Sequence, residues 1–269
     1  LCNRCGDGKY FRMCKYGCFK NSKLQSFIVA GIFAYHRARE SFYKQIDRYI
    51  CLNDNQIQLL ENIGFDKNKM TKKYNFVPDA VNGFELIKID SLPKRYIVFY
   101  GRIGVEKGIS ILMKIWDKLE DIPLVVMGSG PFEEEFKQWA RKYDNVYFLG
   151  YTQHDKCLSI VKRGEFVVFP SIWYEGCSMV EIEAESLGKG IIATDLGFST
   201  EAIENGVNGY KVQLGDIEGF CSCIRKLWND PQKIIKIGKN ARYDYEQKYR
   251  PKDNYKQLMS IYKETMGCQ

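Results

Sequence analysis

The second half of the chain predicts an α/β fold built on a doubly wound parallel sheet, and three observations carry that prediction. From Tyr96 onward, apolar runs of strand length alternate with helical stretches. The runs are continuously apolar, the pattern of strands buried on both faces. Glycine-rich turns with charged residues sit where such strands would end and helices begin, the edge at which ligands bind in this architecture.

The strand candidates are 96–100, 124–127, 146–149, 166–169, 190–194 and 209–212. The intervening helices are 106–119, 131–143, 155–163, 179–188 and 199–204. After Gly215 the pattern is helical to the end, over 216–229, 231–247 and 252–265, with Pro231 and Pro251 near helix starts. The front reads differently. Residues 1–22 look irregular, 23–47 read as one helix, 48–52 as a short β-like run, 53–63 as a helix and 65–93 as a polar linker. The expected division is a front part at 1–92, a ligand-binding α/β domain at 93–248 and a final helix at 249–269.

Composition is that of an ordinary globular protein, with 45% hydrophobic and 27% charged residues. The longest apolar stretch, Phe27 to Tyr35, is far short of the ~20 residues that span a bilayer. Net charge is +7, concentrated in Arg4, Lys9, Arg12, Lys15, Lys20 and Lys23 against Asp7 alone, and again in Lys67, Lys69, Lys72 and Lys73. Such charge suits a solvated face, a phosphate-bearing substrate or peripheral contact with an anionic membrane. No nucleic-acid-binding signature accompanies it, so nucleic acid is not expected as a partner. Leu1 opens the chain without a secretory signal, so it reads as a fragment starting mid-protein, from a protein that is cytoplasmic or membrane-peripheral.

Three segments carry chemistry. Tyr100-Gly101-Arg102-Ile103-Gly104-Val105-Glu106-Lys107-Gly108 follows a strand and opens a helix. Its glycines let a ligand approach the backbone, the helix start favours an anion, and Arg102 with Lys107 suits a diphosphate; a solvated surface turn is the alternative. Gly128-Ser129-Gly130-Pro131 is either a backbone cradle or an ordinary βα turn. In Pro170 to Ala184, Glu175 lies on a loop, and Glu181, Glu183 and Glu185 follow on a helix starting near Ser178, Met179 and Val180. Carboxylates there can accept hydrogen bonds from the vicinal hydroxyls of a sugar and a ribose. The chemistry alone does not choose among the three helix glutamates.

These residues resemble family four of the glycosyltransferases, which have the two-domain GT-B fold. Glu175 and Glu183 match its E-x7-E spacing, and 101–108 matches G-R-x-x-x-E-K-G. Glu201 and Asn205-Gly206-Val207-Asn208-Gly209 resemble the stretch that follows. The similarity covers about 93–265. It implies a C-terminal Rossmann-like nucleotide-sugar domain plus the tail of an N-terminal Rossmann-like, acceptor-side domain. It further implies transfer of a hexose, with retention of configuration and no catalytic metal, from a UDP- or GDP-sugar to a glycan or lipid-linked acceptor in cell-surface polysaccharide synthesis. Arg102 and Lys107 would hold the diphosphate, Glu175 the sugar hydroxyls and Glu183 the ribose. Gly150 and Tyr151 would frame the base, and Gly101, Ser129 and Gly130 would line the nucleotide site. The chain departs from the family pattern at Cys177-Ser178, Gly188-Lys189-Gly190-Ile191 and Leu196-Gly197-Phe198. With the front of the acceptor domain missing, weak or no activity is expected of this chain alone. A non-catalytic nucleotide-sugar-binding module is the competing reading. Absence of G-x-G-x-x-G after the first strand speaks against a dinucleotide oxidoreductase.

Of ten cysteines, Cys2, Cys5, Cys14 and Cys18 have spacing that suits structural Zn2+, with free thiols or disulfides as the alternatives. The other six read as reduced thiols. His36 and His154 read as ordinary surface residues.

Overall fold

The computed structural model describes residues 5–80 and 91–267. The chain divides into two compact units, Leu1–Lys73 with Leu258–Gln269, and Tyr74–Gln257.

In the first unit, α1 (Phe11–Tyr16) ends at Gly17, whose φ of 58° is left-handed. The Ser22 side chain caps α2 (Lys23–Ala38) by accepting from Gln25 N. Glu40 at φ 50° then breaks the helix before α3 (Ser41–Lys44). β1 (Tyr49–Cys51) pairs in parallel with β2 (Met70–Lys72), and the Asn53-capped α4 (Asp54–Asn62) connects them. Three expectations are corrected here. The stretch 1–22 contains a helix, 23–47 is two helices, and the supposed linker contributes β2. The break at Glu40 has no glycine or proline to announce it. Lys69 donates to the carbonyls of Tyr43 and Ile46 at 2.9 and 2.8 Å, a long-range anchor that no local pattern foretells. β2 carries no apolar run because all three of its residues are only half-buried.

The second unit alternates strand and helix as expected: β3 (Ile97–Tyr100), α5 (Ile109–Trp116), β4 (Leu124–Met127), α6 (Glu133–Ala140), β5 (Val146–Phe148), α7 (His154–Arg163), β6 (Val167–Phe169), α8 (Met179–Ser186), β7 (Ile191–Thr194), α9 (Phe198–Ala202) and β8 (Gly209–Val212). Then come α10 (Ile217–Trp228) and α11 (Pro231–Lys248), and α12 (Pro251–Met266) begins in this unit and continues into the first from Leu258. The six strands form one parallel sheet in the order β5-β4-β3-β6-β7-β8.

The continuous apolar runs are explained by the two cores. Ile97, Phe99, Leu124, Val126, Val168 and Ile192 pack with α5, α6, α10 and α11 residues such as Trp116, Phe136, Phe220 and Ile237. Their neighbours Val98, Tyr100, Val125, Met127, Val167 and Phe169 pack on the other side with Leu158, Ile160 and Ala184. Successive strand residues point to opposite faces, so both must be apolar when helices cover both.

Tyr74–Ala80 is irregular, as its polarity suggests, but firmly held. Arg242 donates to both Asp79 oxygens at 2.7 Å, a bidentate pair. Tyr245 Oη donates to Val77 O at 3.0 Å, and Asn254 Nδ2 to Tyr74 O at 2.7 Å. The Tyr74 ring meets the Tyr249 ring edge-on at 5.4 Å. The segment placed with the front on sequence grounds therefore makes its contacts in the second unit.

Candidate active site

The strand order switches sides at β3, with β4 and β5 on one side and β6 to β8 on the other. The strand ends at this switch point form the crevice where ligands bind in doubly wound folds. Close backbone approaches hold the loops around it. Gly108 has φ +72°, and a Cβ there would stand 1.8 Å from the Pro170 carbonyl oxygen. A Cβ on Gly128, at φ +140°, would stand 1.8 Å from the Gly101 carbonyl oxygen. Only glycine permits either contact. Gly108 also splits the expected 106–119 helix into a 3-10 turn, Val105–Lys107, and α5. Gly128 N donates to Gly150 O at 2.8 Å and Ile103 N to Ser129 O at 2.9 Å, so the loops after β3, β4 and β5 are tied to one another.

A cleft of about 410 Å3 opens there, lined by Gly101, Arg102, Ser129 and Tyr151, with Tyr100 and His154. Four of the expected nucleotide-site residues thus converge. Gly150 contributes by accepting from Gly128 N in the cleft wall, and Gly130 lies so close to Ile103 that a Cβ would stand 2.4 Å from its carbonyl oxygen. Tyr151 is 80% exposed, and its ring is free to be covered by a ligand. The Arg102 side chain is also largely exposed, 3.5 Å from Glu106.

Lys107 Nζ donates to Glu175 Oε1 at 2.6 Å, with both side chains mostly buried. The ammonium also lies 5.3 Å from the centre of the Phe169 ring. Ser171 Oγ lies 3.1 Å from Glu175 Oε1 and 3.0 Å from the Glu106 carbonyl oxygen. Ser171 belongs to the segment Pro170 to Ala184, where the E-x7-E spacing marked Glu175 but not its hydroxyl partner.

The Ser178 side chain caps α8 by accepting from Glu181 N, and the Val180 side chain at the start of that helix lies beside Gly101. Tyr100 Oη donates to Val180 O at 2.7 Å, which fixes the start of α8 against the end of β3. Of the helix glutamates, Glu183 is half-buried on the cleft side, with His154 Nε2 3.9 Å away. Burial raises its pKa above the ordinary carboxylate value, and His154 and Tyr100 oppose the rise. His154 is exposed as expected, but it faces the cleft. Glu181 and Glu185 are buried in the protein.

The departure at 177 has a local reason. The Cys177 thiol is buried, accepts from Asn75 N at 3.3 Å and is pushed up to about 12 by burial. In the front cluster Cys2 lies outside the described residues. Cys5 and Cys14 are half-buried and Cys18 is exposed. Among the described residues no three His, Cys, Asp or Glu side chains group as metal ligands, and no helix is long and apolar enough to cross a membrane.

The chain is similar to known proteins. The family model described as glycosyl transferases group 1 matches residues 87–244. The D-rhamnosyltransferase WbpZ of Pseudomonas aeruginosa is 30% identical over 59% of this chain and 42% of its own. The capsular polysaccharide biosynthesis glycosyltransferase CapM of Staphylococcus aureus is 27% identical over 78% of this chain and 53% of its own. The chain thus spans about half the length of these curated relatives. Among solved structures, Anabaena HepE in complex with UDP-glucose superposes with a TM-score of 0.72 at 18% identity, over 94% of this chain and 70% of that one.

Proposed function

Since the chain belongs to the glycosyl transferases group 1 family, we propose that its second unit is the donor-binding part of a retaining hexosyltransferase that uses a UDP- or GDP-sugar. The observation that carries this reading is the switch-point cleft itself, where Arg102, Ser129 and Tyr151 meet beside the Lys107–Glu175 pair. The diphosphate lies along Gly101, Arg102 and the first amides of α8. Lys107 turns from Glu175 to the phosphates and stabilises the charge on the departing nucleotide, in place of a metal ion. Glu175, freed of that ion pair, accepts from the sugar hydroxyls, and Glu183 accepts from the ribose. The base stacks near Tyr151 and meets the Gly150 backbone. HepE, a structural neighbour of this chain, is solved with UDP-glucose, which supports a nucleotide-sugar ligand.

The acceptor is a glycan or lipid-linked saccharide, in keeping with the capsular relative. Exposed Leu24, Phe27 and Ile28 on α2, beside Lys20 and Lys23, support a cytoplasmic protein in peripheral contact with an anionic membrane. A structural zinc on Cys2, Cys5, Cys14 and Cys18 is part of the same proposal for the front.

Calorimetric titration with UDP, GDP and their sugar conjugates tests the donor site. One nucleotide should bind. Arg102→Ala, Lys107→Ala and Glu183→Ala should each weaken it by roughly ten- to a hundredfold, the worth of a charge-assisted hydrogen bond. Binding that all three leave unchanged would place the nucleotide elsewhere and sink the assignment.

A further inference from the structure

Glu181 lies between the two motif carboxylates in sequence and has no role in the donor reading. Its side chain is 1% exposed. Ser199 Oγ donates to its Oε1 at 3.0 Å. The residue before that serine is bonded to the sugar-side loop, because Phe198 N donates to the Glu175 carbonyl at 3.0 Å. Glu181 Oε2 is buried with no hydrogen-bond partner among the described residues. A carboxylate there would leave half its charge unanswered in a desolvated pocket, so the group keeps its proton. Burial pushes its pKa up to about 8; Glu175 pushes the same way, while Ser199, Ser178 and Lys107 oppose it.

We infer that Glu181 is a positioning residue for the donor site, a neutral acid behind the Lys107–Glu175 pair whose ionisation would place a second anion within electrostatic reach of the Lys107 ammonium. While Glu181 is neutral, Lys107 answers Glu175 alone and is released when a diphosphate arrives. Once Glu181 is charged, it holds the ammonium back and repels the phosphates. This inference rests on the donor reading above.

Other groups face Glu181. Tyr100 approaches from the end of β3, Cys177 from the loop before α8, and Tyr249 from the end of α11. Burial drives all three far above their ordinary values, so none titrates near pH 8. Glu185 on the same helix is also raised well above the carboxylate range, and Glu185→Gln serves as the control for it.

The test compares the full chain with Glu181→Gln, a neutral isostere, between pH 6.5 and 9. Side-chain carboxyl and ammonium resonances of Glu175 and Lys107 are followed by NMR, and UDP and GDP affinity by calorimetry. In the parent chain, and in Glu185→Gln, the two resonances should shift with a midpoint near pH 8. Nucleotide affinity should fall about five- to tenfold over the same window, the effect of one added charge at intermediate screening. Glu181→Gln should flatten both profiles while binding as tightly as the parent at pH 6.5. Ser199→Ala, which removes the hydrogen bond to Oε1, should move the midpoint upward. Resonances that are flat in the parent, or that titrate equally in Glu181→Gln, overturn the inference whether or not a nucleotide binds. Resonances that titrate as expected in a chain that binds no nucleotide uphold the electrostatic coupling and overturn the donor reading instead.

Discussion

Glu181 holds a proton that the unfolded chain releases. Its folded value of about 8 lies above the ordinary 4.5. Below the ordinary value both states are protonated, and the favourable contribution of the neutral acid is fully present. As pH rises toward 8 the unfolded chain loses the proton first, so native stability declines by up to about 1.4 kcal/mol per pH unit. Glu181→Gln removes that slope. Thermal melts at pH 5, 6, 7 and 8 should therefore show the Gln variant gaining steadily on the parent, and parallel curves would mean that the acid ionises normally. The neighbouring motif glutamates have different surroundings. Glu175 meets Lys107 and Ser171, and Glu183 meets His154 and Tyr100 at the cleft. One helix and its leading loop thus present three carboxyl environments within nine residues, 175 to 183. The E-x7-E spacing pointed to Glu175 and Glu183 by resemblance; the solvent exposure that separates Glu183 from Glu181 came from packing.

At the scale of elements, the loops after β3, β4, β5 and β6 form the site by touching one another. Gly108 is the joint between the turn that carries Lys107 and the loop that leads to Glu175. Gly108→Ala forces a Cβ onto the Pro170 carbonyl oxygen at a left-handed φ. The expected outcome is a loss of more than about 2 kcal/mol in denaturant unfolding, in the range of backbone-strain substitutions. Nucleotide binding should be lost as well, even under conditions where the variant is folded. A variant as stable as the parent would show that the loops do not meet as described. The strands β3, β4, β6 and β7 were legible because each is apolar on both faces. The front elements were not: β2 reads Met-Thr-Lys and stands half-buried beside β1, and the Glu40 break carries no local signal.

For the whole molecule, both apolar cores lie between Ala80 and Ile237, inside the second unit. A fragment spanning 74–257 should therefore unfold cooperatively on its own, with a single thermal transition and dispersed amide resonances. Non-cooperative melting would show that the unit depends on residues outside it. The fragment must begin at Tyr74 and not near 93, because Asp79, Val77 and Tyr74 hold Arg242, Tyr245 and Asn254. An otherwise identical fragment starting at 93 should be less stable, with about 1–3 kcal/mol lost for the Asp79–Arg242 pair alone when the cation is left behind.

The sequence by itself determined the α/β class, the six parallel strands and the segments that surround the cleft. These follow from local rules: the period of apolar residues, glycine where backbones meet, and basic residues at strand ends. It also marked Arg102, Lys107, Glu175 and Glu183, through spacing shared with a known family. Tertiary structure alone decided which side chains meet: Lys107 with Glu175, Ser171 behind them, Glu183 facing His154, and Glu181 sealed under Ser199. It also decided that the polar stretch after Lys73 belongs to the second unit. The physical reason is range. Periodicity and turn chemistry act over a few residues, whereas burial and ion pairing depend on partners about seventy or more positions away, as from Lys107 to Glu175 or from Asp79 to Arg242.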